Sequence, residues 1–520
     1  MELGFRDSEN LSGSFEPFCL IGPNGAGKSQ LIQVIAEIFQ SAIHAVSKEE
    51  ERIESNPDLQ FEVEYLIQID SETAKRVRLS REAIGKAKPK VLIQAYEDGD
   101  WIEQNLSADE TRWLLPSKVV GYTSGGNETL SLPFLLSRGG YAADVTEAAL
   151  HEQRSDEKVP DTCLMAVDYG THLEVLISNL VLGEENQKAP LIQEAGLSGL
   201  HSFRCTVQLA HSAVPKTPIS KRGVRGRKGI QLTEELEEYL DQLKRCATCY
   251  SYDDEIEAYT FDYLVDDQTK SAFRSFWESS LELYASLHKI AMLNDLAIPR
   301  KTRKRFTKEI EQRQFASKLP EPQDEDKVFR FDQVSFKTKD KKSVVDYVSL
   351  SDGEHQLALL LGTFSMLSYP NVLFLLDEPE SHFNPQWRIK LLSRLLELPT
   401  RNGKRGAASE AAKQECLLTT HTPFVPSDMK RENVLIFEKS TDDKAAQNKR
   451  SAKSKPRITI RHPEAETFGT TFDSILEECF GVSPPISRVS LDEIGQLMKS
   501  DNPEEIRIGM EKLGHSVEKM

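Results

Sequence analysis

Short apolar runs alternate with segments of helical period along this chain, and the strongest of them gather toward its two ends. "FEPFCLIGPNGAGKSQLIQVIAEIFQSAI" reads as a buried strand, a Gly-rich loop and a helix with apolar positions at Leu31, Ile32, Val34, Ile35 and Ile38. Alternation of apolar and polar residues predicts strands at 59–69 ("LQFEVEYLIQI") and 90–97 ("KVLIQAYE"). "SKVVGYTSGGNETLSLPF" (117–134) reads as a strand entering a Gly-rich turn. Residues 145–345 are less regular, with helices predicted at 232–246 and 271–297. Strong alternation then returns: a helix over 351–368, an apolar strand at 371–379, a helix at 384–398 and strands at 415–424, 433–439 and 457–462. Residues 401–413 read as a surface insertion, 440–456 as a charged linker, and the tail as helical. The expected fold class is α/β, a mixed sheet flanked by helices, with a large and mainly helical insertion. The expected segments are 1–144, the insertion 145–345, 346–439 and 440–520.

Composition narrows the setting. A chain of 520 residues should hold two or three compact units, since single cores seldom exceed roughly 250–300 residues. Hydrophobic residues at 39% and charged residues at 28% describe an ordinary globular protein. No run approaches the roughly 18–20 apolar residues that cross a bilayer, and no signal-peptide pattern opens the chain, so no membrane contact and a cytoplasmic location are expected. Seven scattered cysteines fit a reducing compartment. Cys246 and Cys249 form a CxxC without a second pair at finger spacing; partly buried thiols are expected, with a zinc shared between two chains as the alternative. A net charge of −17 argues against a surface that binds nucleic acid everywhere. Basic runs at 216–229, 299–308 and 448–461 contain few aromatics, so any DNA contact through them would be to phosphate.

Two motifs carry chemistry. "GPNGAGKS" (22–29) matches the phosphate-binding loop pattern between an apolar strand and a helix. Gly22, Pro23, Asn24, Gly25, Ala26 and Gly27 would wrap backbone N–H groups around phosphate oxygens, next to a helix N-terminus. Lys28 would reach the β- and γ-phosphates, the Ser29 hydroxyl would ligate Mg²⁺, and Gln30 closes the ATP-binding stretch. "VLFLLDEPE" (372–380) is an apolar strand ending in two acids at the edge where parallel-sheet ligands bind. Asp377 would hold Mg²⁺, and Glu378 would polarise the attacking water. In "LSDGEHQ", Ser351 and Glu354 form a capping box, which does not itself require Asp352-Gly353 between them.

The order of "GPNGAGKS", "LSDGEHQ", "LLDEPESHFNP" and "TTHTPF" resembles the ABC-type ATPase heads. The resemblance implies that Ser351, Asp352, Gly353 and Glu354 face the γ-phosphate held by a second copy, so that turnover needs a dimer. It implies a D-loop at Ser381, His382, Phe383 and Asn384, where Asn384 replaces the usual Asp, and a switch histidine at His421. A lid residue that contacts Mg²⁺ is expected in "YTSGGNE", with Asn127 as the candidate. The interval between Lys28 and Ser351 is wider than in transporter subunits, and it holds no long coiled coil of the kind found in chromosome-structure ATPases. Several segments, "ETFGTTFDSIL" (466–476) among them, resemble the restriction-system-associated ATPases and the PtuA group of the Septu anti-phage system. That resemblance implies a partner HNH endonuclease on a separate chain, an oligomer of ATPase dimers, and control of the nuclease by nucleotide state. A RecF-like repair ATPase that closes on DNA without a nuclease is the alternative. No strand ending in an acid with a later Asp-x-Asp turn follows residue 430, so an intrinsic nuclease is not expected. Such heads usually open with a strand pair before the loop strand; here the expectation is an abbreviated lobe or a late start, and a further C-terminal segment is conceivable.

Overall fold

A computed structural model describes all residues except 1, 7–13, 55, 71–72, 84–88, 125–127, 151–155, 157, 194, 212–213, 215, 217–225, 313–321, 341–342, 401–402, 407–412, 441–456 and 515–520. Asn127 and most of the basic runs 216–229 and 448–461 therefore lie outside the described residues. The chain forms two compact units: Met1–Phe5 with Phe18–Lys28 and Thr420–Met520, and Arg6–Pro17 with Ser29–Thr419. Among the described residues, no helix is long and apolar enough to cross a membrane.

In the first unit the loop strand Phe18–Ile21 runs parallel to Val434–Ser440, with Cys19 opposite Val434 and Ile21 opposite Ile436. Arg457–Arg461 closes this mixed sheet antiparallel to Val434–Ser440. Every residue of Phe18–Ile21 is buried, as an unalternating apolar run requires. Helices follow at Phe472–Phe480, Arg488–Leu497 and Pro503–Lys512.

The second unit contains four parallel strands in the order Glu415–Thr419, Val372–Asp377, Lys118–Thr123, Leu164–Val167. Val372–Asp377 is buried along its whole length, and its register sets Asp377 beside both Thr419 and Thr123. The helix Asp352–Met366 lies on this strand, with the Phe364 and Phe374 rings stacked at 4.0 Å. The loop helix, Lys28–Val46, buries Ile32 and Ile38 of the expected apolar positions together with Ala36, while Leu31, Val34 and Ile35 are half-buried.

Among the described residues the stretch 145–345 is mainly helical, as expected, but it also holds a sheet that its sequence pattern does not announce. Its helices surround a five-stranded antiparallel sheet, ordered Val344–Asp346, Phe329–Thr338, Leu197–Gln208, Ala258–Leu264, Cys249–Asp253. The cause is legible in the register: the pairing of Phe329–Thr338 slips between Phe331 and Gln333, between Ser335 and Phe336 and between Lys337 and Thr338. Each slip breaks the two-residue period by which a strand is recognised. A further strand, Ala74–Glu82, was hidden by its charges; Arg76 and Arg78 are both hydrogen-bonded to Glu64 across the sheet. Cys246 is buried and Cys249 exposed, all seven cysteines are free thiols, and no cluster of three or more metal-ligating side chains exists among the described residues.

Asn371 fixes the entry to the acidic strand. It sits at φ +63, and its side-chain amide both donates to the Gln68 carbonyl (2.7 Å) and accepts from the Gln68 N–H (2.9 Å). Asparagine tolerates the left-handed region and here also acts as a strand partner. Asn371→Leu should destabilise the protein by about 2–4 kcal/mol, from two lost hydrogen bonds and backbone strain. The shift in the urea midpoint measures it, and a change below ~0.5 kcal/mol would refute the clamp.

Candidate nucleotide site

The phosphate-binding loop has the backbone its glycines permit. Gly22, Gly25 and Gly27 take φ of +132, +68 and +95. At Gly22 an added Cβ would fall 2.2 Å from the Phe437 carbonyl oxygen, so no side chain fits there. Lys28 is buried and its ammonium donates to the carbonyls of Gly22 (2.8 Å) and Pro23 (3.2 Å). Lys439 donates in the same way to Asn24 (2.8 Å). Two cations thus neutralise three successive carbonyl oxygens that would otherwise repel a phosphate. Ala26 is buried beside them, and Gln30 is exposed on the first turn of the loop helix.

In the second unit the Ser29 hydroxyl donates to Asp377 Oδ1 at 2.8 Å. The same carboxylate oxygen accepts from the Thr419 hydroxyl at 2.7 Å, and Thr419 in turn accepts from the Glu378 N–H at 3.0 Å. A hydroxyl and a carboxylate oxygen held together form a hard-oxygen donor pair, which fits Mg²⁺. Glu378 is half-buried at φ +49, directly before Pro379. A non-glycine residue there stores on the order of 1–3 kcal/mol of strain, and a following proline disfavours helical geometry further. The Thr419 hydroxyl holds that turn in place. Sequence reading missed Thr419; its signal was a hydroxyl pair ending an apolar strand in "CLLTT".

Ser351 and Glu354 form the expected capping box: Ser351 N–H and Oγ donate to Glu354 Oε2 at 2.7 and 2.8 Å, while Glu354 N–H reaches Ser351 Oγ at 3.4 Å. Ser351 and Asp352 are exposed, so this helix opens onto the surface. Gly353 is buried, and it has a reason within its own chain. An added Cβ would stand 2.9 Å from the His382 carbonyl oxygen and 3.4 Å from the Trp387 ring. The structure thus brings Gly353 and the loop Ser381–Asn384 together. Asn384 caps the next helix, Pro385–Glu397, by accepting from the Trp387 N–H at 3.0 Å. Ser381 is tied through its carbonyl to Arg388 (2.8 Å).

His421 follows the strand end in the first unit. Its neighbour Thr420 donates its N–H to Leu20 O at 3.2 Å, which sets His421 one residue beyond a contact with the loop strand. The base of the Gly-rich turn is also fixed: Gln356 donates to Ser124 O at 3.0 Å and accepts from the Tyr122 hydroxyl at 3.3 Å. Beneath the capping box lies a cluster that sequence reading did not foresee. His355 and His172 are buried with ring centroids 5.2 Å apart, and the Tyr347 hydroxyl is hydrogen-bonded to His172 Nδ1 at 2.5 Å. Burial and the neighbouring His355 push His172 down to about 3, and burial lowers His355 as well, so both rings pack as neutral groups. A lone histidine in an apolar helix carries no signal of such a partner.

Comparison with known proteins gives a partial match. A family model described as "AAA domain, putative AbiEii toxin, Type IV TA system" matches residues 220–428, which include the capping-box helix, the acidic strand and His421 but not the Gly-rich loop. No curated protein matches the chain. Among solved structures, an Smc head bound to the C-terminal winged-helix domain of ScpA is 11% identical, with 87% of this chain and 92% of that one covered and a TM-score of 0.25. An Smc head domain with a coiled coil and joint from Pyrococcus yayanosii is 13% identical, with 87% and 93% covered and a TM-score of 0.26. At such scores these two likenesses carry no weight. The loop between strand and helix, and the Ser29–Asp377 pair, define the class: an α/β P-loop ATPase that binds ATP.

Proposed function

We propose that this chain hydrolyses ATP as an ABC-type dimer and that its nucleotide state controls a partner HNH endonuclease in defence against phage. The observation that carries the ATPase part is the Ser29–Asp377 hydrogen bond, which joins the end of the phosphate-binding loop to the acidic strand. Mg²⁺ bound by Ser29 and Asp377 would supply charge neutralisation at the phosphates. The Gly22–Gly27 loop and Lys28 hold the triphosphate, and the Glu378 carboxylate orients a water and takes its proton. His421 contacts the γ-phosphate, and a residue of the Gly-rich turn, Asn127 in our reading, completes the metal shell. The exposed helix start at Ser351–Glu354 approaches the phosphate of a second copy, and Ser381, His382 and Asn384 lie along the same interface. We assign the insertion 145–345 to contacts with partners, the dimers to a higher oligomer, and the whole to the cytoplasm.

Support for the defence reading is the resemblance of "ETFGTTFDSIL" and its companion segments to the restriction-system-associated ATPases. A second support is the matched family's description, "putative AbiEii toxin, Type IV TA system". The test is co-purification with the product of the adjacent gene, then DNA cleavage with and without ATP. An associated nuclease whose cleavage responds to ATP is the expected result. A chain that binds duplex DNA in ATP but recruits no nuclease would replace this reading with the RecF-like one.

A further inference from the structure

The insertion contains a cavity of about 340 Å³ that the ATPase reading does not use. Its walls are the helix Glu185–Ile192, the start of strand Leu197–Gln208, the end of strand Phe329–Thr338 and Lys270 of helix Asp267–Arg274. Four lysines line it, Lys188, Lys270, Lys337 and Lys339, against one carboxylate among the described residues, Glu185. That excess stands out in a chain of net charge −17. Most of the rest of the lining is aliphatic, including Leu180, Ile192, Leu200 and Val265, with Gln193 and Ser198 as polar members.

Glu185 is already shared. Its Oε1 accepts from Lys188 at 2.9 Å and stands 3.6 Å from Lys270 Nζ. Lys188 is buried, and its ammonium is pushed below the ordinary lysine range by that burial; Glu185 opposes the shift while Lys270 and Arg274 add to it. An anion in the cavity would relieve this repulsion. Lys339 is anchored by donating to the Gln193 carbonyl at 2.7 Å, and Lys337 and Lys339 are exposed at the rim.

We infer that this cavity binds a small phosphorylated organic anion, with its phosphate among the lysines and its apolar body on the aliphatic wall. The chemistry selects among anions. Lysines are point charges without the fixed fork of arginine, and a cluster of them suits the concentrated charge of a phosphate dianion better than a singly charged carboxylate. The volume lies at the lower end of the roughly 300–1,000 Å³ range of small-molecule sites, too small for a polymer and roomy for phosphate alone.

Pyridoxal 5′-phosphate tests the site on the full chain. Its aldehyde condenses with a lysine amine and loses water to give an imine. Borohydride then delivers hydride to the imine carbon, and a proton from water completes a stable secondary amine. Peptide mass mapping reads each lysine separately, so an adduct at Lys28 does not confuse the result. Lys270 or Lys337 should be labelled at about tenfold lower reagent than pyridoxal, which lacks the phosphate, requires. Adenosine 5′-monophosphate should protect these lysines better than equal inorganic phosphate. The exposed pair Lys337→Glu with Lys339→Glu should reduce labelling at Lys270 by about tenfold with the chain still folded. Equal labelling by the two reagents, or labelling spread evenly over surface lysines, would overturn the site. Equal protection by inorganic phosphate would overturn the apolar half, and protection by an oligonucleotide alone would overturn the ligand class.

Discussion

Glu378→Gln should bind ATP as the parent does and lose about 10²–10⁴-fold in turnover, the range a general base contributes. ATP-bound dimers should then accumulate on size exclusion with Mg²⁺ and ATP. Glu378 ends the buried strand beside Asp377, and its backbone is held at φ +49 before a proline, an arrangement a stability-driven sequence would avoid. Glutamine keeps the size and the backbone, so a loss of turnover isolates the carboxylate. Phosphate release at the parent rate would remove Glu378 from the chemistry. The companion change Glu378→Gly should relieve the strain and raise stability by up to ~1 kcal/mol while also stopping turnover.

Ser351→Arg should leave ATP binding to a single chain nearly unchanged and abolish turnover. Two effects must be separated here. Losing the cap costs about 1 kcal/mol and would occur equally in Ser351→Ala. Placing a long cation at an exposed helix start should in addition block the approach of a second copy. Turnover should therefore survive in part in Ser351→Ala and vanish in Ser351→Arg, with dimer formation lost in parallel. If Ser351→Arg turned over as well as Ser351→Ala, the stretch would serve only as a helix cap.

What could be read in advance followed the strength of the local pattern. The loop, the acidic strand and the capping box were legible because each combines a fixed motif with the element that must flank it. The structure places them as strand, loop and helix within a residue or two of the expected bounds. The sheet inside the insertion was not legible, because its bulges interrupt the period and Leu197–Gln208 carries glycine, histidine and arginine among its apolar positions. The hydroxyl pair in "CLLTT" marks Thr419 or Thr420 as candidates, and the register opposite Asp377 singles out Thr419. Lys439 needed a long-range contact that no spacing announces. Gly353 is the instructive case. The sequence pattern suggests close approach to a phosphate of a second copy, and the structure adds a neighbour within the chain that no spacing announces, the His382 carbonyl.

That neighbour has a mechanical meaning. With no room for even a methyl group between Gly353 and His382, the start of one helix rests on the loop whose Asn384 caps the next. Such contacts transmit displacement because packed protein interiors compress very little. A push on the capping-box helix from a neighbouring molecule would be carried as a rigid step into the loop just past Glu378, within the same chain. The gap at residue 353 is in effect a bearing surface, and the narrowest change in the protein, one added methyl at Gly353, is the one that would jam it.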